Sequence, residues 1–188
     1  MKKKQQGFTL IELLVVVGIL AILAIAALIA INPLEAQRRA RDSTRLADIA
    51  RLSAVFETYV NDNGDAVLRV AGYVLARNTN GIGSTTVGTA RSQSCSTNWM
   101  GLNLCTYLKQ VPADPQNSRS ISIATNVAAT RSNDIAGYGF VYSLTTGEYE
   151  FCTHLEAEKS EELLISDGGN APNTFETGTD LTLACVPS

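Results

Sequence analysis

Apolar and polar positions divide the chain into three stretches of different character. Residues 13–31 carry no charged side chain, and Phe8, Leu10 and Ile11 extend this apolar run toward the N-terminus. A helix over residues 8–31 would be roughly 36 Å long at 1.5 Å per residue, enough to cross a bilayer. From residue 34 to residue 60 the apolar positions thin to a stripe of Leu46, Ile49, Leu52, Phe56 and Tyr59. Steps of three and four place these on one helical face, with Arg45, Asp48, Arg51 and Glu57 off it, which predicts an amphipathic helix. Asn32-Pro33 lies between the two. Proline lacks the amide donor and crowds the preceding turn, so a helix passing through Pro33 is predicted to kink or loosen there, with Gly18 a second weak point.

Beyond residue 60 the pattern shortens. Asn61-Asp62-Asn63-Gly64-Asp65 has the chemistry of a helix stop. Residues 66–75 suit a strand or a short helix, residues 78–94 a Gly/Thr/Ser/Asn-rich exposed loop, and residues 98–108 a short helix. After a turn at residues 111–115 comes a possible strand at 121–127. Alternating apolar positions at residues 139–144 and 149–153 flank Thr145-Thr146-Gly147-Glu148 and predict a hairpin. The tail from residue 166 is turn-rich, with a short strand predicted at 181–186. The fold class is therefore α+β: a long N-terminal α-helix, first membrane-spanning and then amphipathic, packed on a small antiparallel β-sheet head. The divisions are 1–7, 8–31, 32–60 and 61–188, with no internal repeat.

The N-terminal end changes what the apolar run means. Lys2, Lys3 and Lys4 precede it, as in a secretory signal, but the run is longer than the roughly 7–15 residues of a signal core. The small residue beside the basic head is Gly7, before the apolar run. Cleavage there removes residues 1–7 as a leader and leaves the helix on the mature chain. Glu12 is the second anomaly. An ionised carboxylate in a membrane helix costs several kcal/mol unless neutralised, and intramembrane acids are functional by default. Cleavage after Gly7 creates an α-amine on Phe8 that can neutralise Glu12, within one helix or between staggered neighbours.

Charge and cysteines place the remainder. The formal net charge is −3, and loss of the three leader lysines takes it to −6, which gives no support to nucleic-acid binding. Arg69, Arg77, Arg91, Arg119 and Arg131 are too scattered in sequence to form a basic patch. The lysines hold the N-terminus in the cytoplasm by the positive-inside rule, and the rest lies across the membrane. Arg38, Arg39, Arg41, Arg45 and Arg51 cut against that count; singly they read as a solvated helix face, with Arg38–Asp42, Asp42–Arg45 and Asp48–Arg51 spaced to pair. Cys95, Cys105, Cys152 and Cys185 all lie in the exported part and suit disulfides. Four cysteines allow three connectivities; spacing favours Cys95–Cys105 and Cys152–Cys185. Zinc is the weaker reading, with no C-x₂-C pair and His154 the single histidine. The acidic run over residues 156–162 reads as a solvated helix face. There is no catalytic constellation and no phosphate-binding loop, so an enzyme is not expected.

Gly7-Phe8-Thr9-Leu10-Ile11-Glu12-Leu13-Leu14 resembles the class III signal of type IV pilins and type II secretion pseudopilins. The resemblance implies cleavage between Gly7 and Phe8 by a prepilin peptidase, N-methylation of Phe8 by the same class of enzyme, and roles for Glu12 and Pro33 in assembly. Implied partners are other copies of the chain in a helical filament, an assembly-platform membrane protein with its ATPase, and membrane lipid. Before assembly the chain would be a single-pass membrane protein, and afterwards an extracellular or periplasmic filament. Asn32-Pro33-Leu34-Glu35 is similar to pilin-like proteins of Gram-positive and lesser-known bacterial groups. Residues 108–115, then Tyr138-Gly139-Phe140-Val141-Tyr142 leading to Tyr149-Glu150-Phe151, resemble the major pseudopilin of type II secretion. In that family a calcium ion can pin the loops of the small sheet, and the oxygen ligands available for it here are Asp114, Asp134 and Asp167. Three functions follow: a structural subunit of a type IV pilus-like filament, a pseudopilin driving protein export, or a minor pilin for adhesion or DNA uptake through the loop at residues 78–94. The first is favoured.

Overall fold

A computed structural model describes residues 8–64, 76–78, 93–96, 99–100, 102–116, 119–124, 131–143, 146–183 and 185. The chain separates into two compact units, Met1–Gln37 and Arg38–Ser188.

In the first unit α1 runs from Leu10 to Ile31, and the backbone turns into the left-handed region at Asn32, with φ of 43°. That residue ends one helix and starts another. Its side-chain oxygen accepts the amide of Glu35 at 3.4 Å and its carbonyl accepts that of Ala36 at 3.2 Å. Pro33 then occupies the first position of α2 (Pro33–Asn63), where its missing donor costs nothing. The kink or loosening expected at Pro33 falls one residue earlier, at a capping asparagine between α1 and α2.

The second unit holds most of α2 and a four-stranded antiparallel sheet. The strands are β1 (Ala76–Asn78), β4 (Tyr138–Tyr142), β5 (Tyr149–Thr153) and β6 (Phe175–Gly178), in that spatial order. A separate hairpin pairs β2 (Ser120–Ala124) with β3 (Arg131–Ile135). The stripe on α2 buries as its spacing predicts: Ile49, Leu52, Phe56 and Tyr59 are buried and Leu46 is half-buried. Phe56 is the hub of an aromatic core. It meets Phe140, Tyr149 and Tyr142 edge-on with ring centroids 4.9, 4.8 and 5.9 Å away, a geometry worth about 0.5–1.5 kcal/mol per pair beyond area burial. Alternation on β5 gives Tyr149 and Phe151 to this inner face and Glu150 and Cys152 to the outer one.

The outer face is covered as well. Cys185 bonds Cys152, and Leu183 packs with Val141 and that disulfide, so the C-terminal segment forms a strap over the sheet. The second disulfide joins Cys95 to Cys105. Gly178 is required where β6 passes β5, because a Cβ there would lie 2.1 Å from the carbonyl oxygen of Tyr149.

Four local expectations are corrected. Residues 102–108 are not helical; Leu102 and Leu104 both bury, Leu104 donates its amide to Cys95, and the chain turns at residues 105–107. Residues 181–183 form a turn around Asp180, whose carboxylate takes the amide and hydroxyl of Thr182, where a strand was expected. The tail instead carries β6, and the polar segment Arg131-Ser132-Asn133-Asp134-Ile135 forms β3. The 66–75 segment, most of the 78–94 loop and residues 125–127 of the expected 121–127 strand lie outside the described residues, as do Arg69 and Arg91.

Candidate functional site

Chemistry concentrates at two places, the start of α1 and a buried charge cluster in the head. Thr9 is the N-cap of α1, with extended backbone (φ −82°, ψ 153°). Its hydroxyl accepts the Glu12 amide at 3.3 Å, while one Glu12 carboxylate oxygen accepts the Thr9 amide at 2.8 Å and the Thr9 hydroxyl at 2.7 Å. The cap and the acid at the third helical position satisfy each other, a capping box. The carboxylate, for which the sequence offers the Phe8 amine as a partner, is held here within its own helix by Thr9. The signal was there, in Thr-x-x-Glu at the head of an apolar run. Around the cap everything is open: Phe8 is 91 % exposed, and every side chain from residue 8 to residue 29 is exposed. Apart from the adjoining backbone of α1, no atom of the described residues stands within 4 Å of a Cβ built at Gly18.

The head cluster is the reverse case. Arg45, expected on a solvated face, is fully buried. Its guanidinium takes Asp114 in a two-pronged contact, Nε to Oδ2 at 2.6 Å and Nη2 to Oδ1 at 3.1 Å. Its Nη1 reaches Asp42 at 2.9 Å and Glu156 at 2.7 Å. Arg41 grips the same Glu156 with its Nε at 2.9 Å and with Nη2. Asp42 also accepts the amides of Glu156 and Ala157, at 2.9 and 2.8 Å, and the Ser160 hydroxyl at 2.8 Å. It thereby caps, from α2, the 3₁₀ turn Glu158–Ser160 and the short helix α3 (Glu161–Ser166). Burial pulls against the charge on Arg45, yet the bonds and charge of Asp114, with Glu156, outweigh it and hold the guanidinium above its ordinary value. Burial likewise pushes Glu156 up, and Arg41 and Arg45 together bring it below the usual carboxylate range. Two cations face three carboxylates, with backbone amides supplying further positive dipole. The acidic run is therefore split: Glu158 and Glu162 are exposed, while Glu156 is an internal partner of α2.

A third buried group stands apart. Glu150 on β5 and Glu176 on β6 are both buried on the outer sheet face, and among the described residues neither Glu150 oxygen has a hydrogen-bond donor. Desolvation first, then a bond to Glu176 and the charges of Glu176, Asp180 and Asp167, push the Glu150 carboxyl up to about 9.

Asp114 is bound by Arg45 and the Gln116 amide, Asp167 accepts the amides of Gly169 and Glu176, and Asp134 lies on β3 opposite Ile121. Among the described residues no group of three or more acidic, histidine or cysteine side chains is placed to hold a metal ion. His154 uses its Nδ1 on the carbonyl of Asn173.

Residues 2–28 match the family model described as the prokaryotic N-terminal methylation motif. The N-terminus is a type IV pilin-like signal. The match spans the basic N-terminal residues, the Thr9 cap, Glu12 and most of α1. An α1 long and apolar enough to cross a membrane fits a membrane-anchored pilin, and the α+β architecture is consistent with the pilin fold. No curated protein and no solved structure matches the chain.

Proposed function

We propose that the chain is the structural, non-catalytic subunit of a type IV pilus-like filament, drawn from the membrane after a prepilin peptidase removes residues 1–7 and methylates the Phe8 amine. The observation that carries this reading is the exposure of every side chain from residue 8 to residue 29 on an almost wholly apolar helix. A helix apolar all round is buried in something. In the membrane that something is lipid; in a filament it is the same helix of neighbouring copies. Lys2 to Lys4 keep the N-terminus cytoplasmic before cleavage, and the disulfide-bonded head lies on the oxidising side.

Glu12 gives the assembly its register. In the single chain Thr9 satisfies it locally; in a filament the Phe8 amine of a neighbour, as a cation, replaces that weaker bond. Asn32 and Pro33, where α1 stops, allow the segment to lengthen as copies stack. The test is Glu12→Val. Cleavage after Gly7 and membrane insertion persist, while filaments disappear from the sheared fraction and mature monomer accumulates. An intact mass that still includes residues 1–7 in the wild type rejects processing; normal filaments from the cleaved variant reject the pairing.

A further inference from the structure

We propose that the C-terminal strap of the head is a pH-sensitive seal: Glu150 and Glu176, buried beneath it on the outer face of the sheet, share one proton, and the strap loosens when that proton leaves.

Strand register brings the two acids together. Glu150 stands opposite Gly178, and Glu176 stands opposite Cys152, so the two carboxyls are diagonal neighbours on one face. That this is the outer face follows from their alternates, since Tyr149, Phe151 and Phe175 pack into the aromatic core on the other side. The cover is tight. Glu150 is 0 % and Glu176 1 % exposed. A Cβ on Gly169 would fall 1.7 Å from a Glu176 oxygen, so the loop after α3 closes directly over that carboxyl. Over Glu150 the strap passes as Leu183 and Cys185, anchored by Cys152–Cys185.

Among the described residues one of the four carboxyl oxygens has a donor, the Ala171 amide on Glu176 at 3.1 Å, and the other three have none. As two carboxylates this arrangement leaves buried charge uncompensated. With one proton on Glu150, an O–H donates to Glu176 and a single negative charge remains under the strap. The charged groups that act on Glu150 are Glu176 on β6, Asp180 at the start of the strap and Asp167 after α3, all acids. From β4 it faces Val141, and from the strap Leu183 and a disulfide, none of which titrates. Loss of the proton to solvent therefore places like charges in an apolar pocket, and separation of the strap is the relief available to them.

The folded state holds a proton that the unfolded state gives up at the ordinary glutamate value of 4.5, and keeps it until about 9. Stability from this pair is complete below 4.5 and falls as pH rises through that window. The unfolding constant of the detergent-solubilised mature protein, divided by that of Glu150→Gln, is expected to rise up to about tenfold per pH unit across the window and then level. Parallel profiles overturn the proposal. The strap itself is read by phosphine reduction, with Cys95–Cys105 as internal control. Cys152–Cys185 is expected to reduce several-fold faster at the alkaline end in the wild type only; equal acceleration of both disulfides overturns it. Should Glu150→Gln fail to fold, infrared spectra of the wild type decide. A protonated carboxyl band at neutral pH that disappears near pH 9 and ignores millimolar calcium supports the proposal. No such band, or one abolished by calcium, makes the pair something else and overturns it.

Discussion

Glu12 and Arg45 are charges of the same chain handled in opposite ways. Glu12 is held by a residue three positions away, on a helix with every side chain open. Arg45 is closed in on every side, by partners 69 residues away at Asp114 and on the far side of the sheet sequence at Glu156. Local bonding satisfies a carboxylate without assigning it a place in a larger structure. Long-range bonding does the reverse: Asp114, Glu156 and the start of α3 have one arrangement around Arg45. The charge cluster of the head is thus satisfied within the single copy, whereas the side chains of residues 8–29 are exposed in it. A change in the head should act on its folding, and a change at the N-terminus on assembly.

The sharpest way to break that contrast is Arg45→Ala. It leaves Asp114 without its cation and takes one partner each from Asp42 and Glu156, and removing one partner of a buried charge cluster costs roughly 3–5 kcal/mol. For a unit the size of residues 38–188 this is a fall of roughly 6–20 °C in melting temperature. Arg45→Lys should recover little, since an ammonium cannot span both oxygens of Asp114 while also reaching Asp42 and Glu156. The acid limb gives a second reading. Glu156 has its folded value lowered from 4.5, so its contribution is complete above that pH and is lost as the pH falls through the lowered value. In Arg45→Ala that acid loss should shrink. Unchanged thermal melts from pH 3 to 7 would mean the cluster holds nothing together.

Next in size is the strap. Cys152–Cys185 closes a separation of 33 residues against 10 for Cys95–Cys105. In the chain-entropy model this is roughly 3–4 kcal/mol against roughly 2–3. Cys152→Ser with Cys185→Ser should lower the head's melting temperature more than the corresponding pair at Cys95 and Cys105, and should leave filament formation at permissive temperature intact. The reverse order would show that the 95–105 turn, not the strap, limits the head.

The same contrast decides what was legible in sequence. Local features were: the charge-free run that became α1, the helix stripe at Ile49, Leu52, Phe56 and Tyr59, and the hairpin whose register pairs Tyr142 with Tyr149. Long-range features were not. Arg45 looks like its neighbours Arg38, Arg39 and Arg51 until Asp114 and Glu156 are brought to it by the fold, and Glu156 looks like any member of an acidic run. The 3.6-residue period did carry a trace, since Asp42 and Arg45 share a face. The strands β3 and β6 escaped because Arg-Ser-Asn-Asp-Ile and Phe-Glu-Thr-Gly carry no apolar alternation in sequence, and strand preference depends on context. The 102–108 stretch misled for the opposite reason: its leucines bury individually, Leu102 and Leu104 two apart, where a helix would have separated their faces.

The smallest expected effect is at Thr9, and it separates the two regions most cleanly. Loss of an N-cap side chain costs about 0.5–2 kcal/mol, and Thr9→Ala also leaves the Glu12 carboxylate without the hydroxyl that bonds it at 2.7 Å. The first turn of α1 should fray, seen as faster amide exchange at residues 10–13 in bilayers, with Thr9→Ser restoring protection. The head should not respond, because its core and charge cluster lie within Arg38–Ser188; its melting temperature should stay within error. Assembly should respond weakly and in an informative direction. The cap competes with a neighbour's Phe8 amine for the same carboxylate, so removing it destabilises the single chain more than the filament, and filament yield should hold or rise slightly. A yield that collapses as it does in Glu12→Val would place Thr9 inside the contact between copies, and the local bond seen here would then be half of the assembly joint.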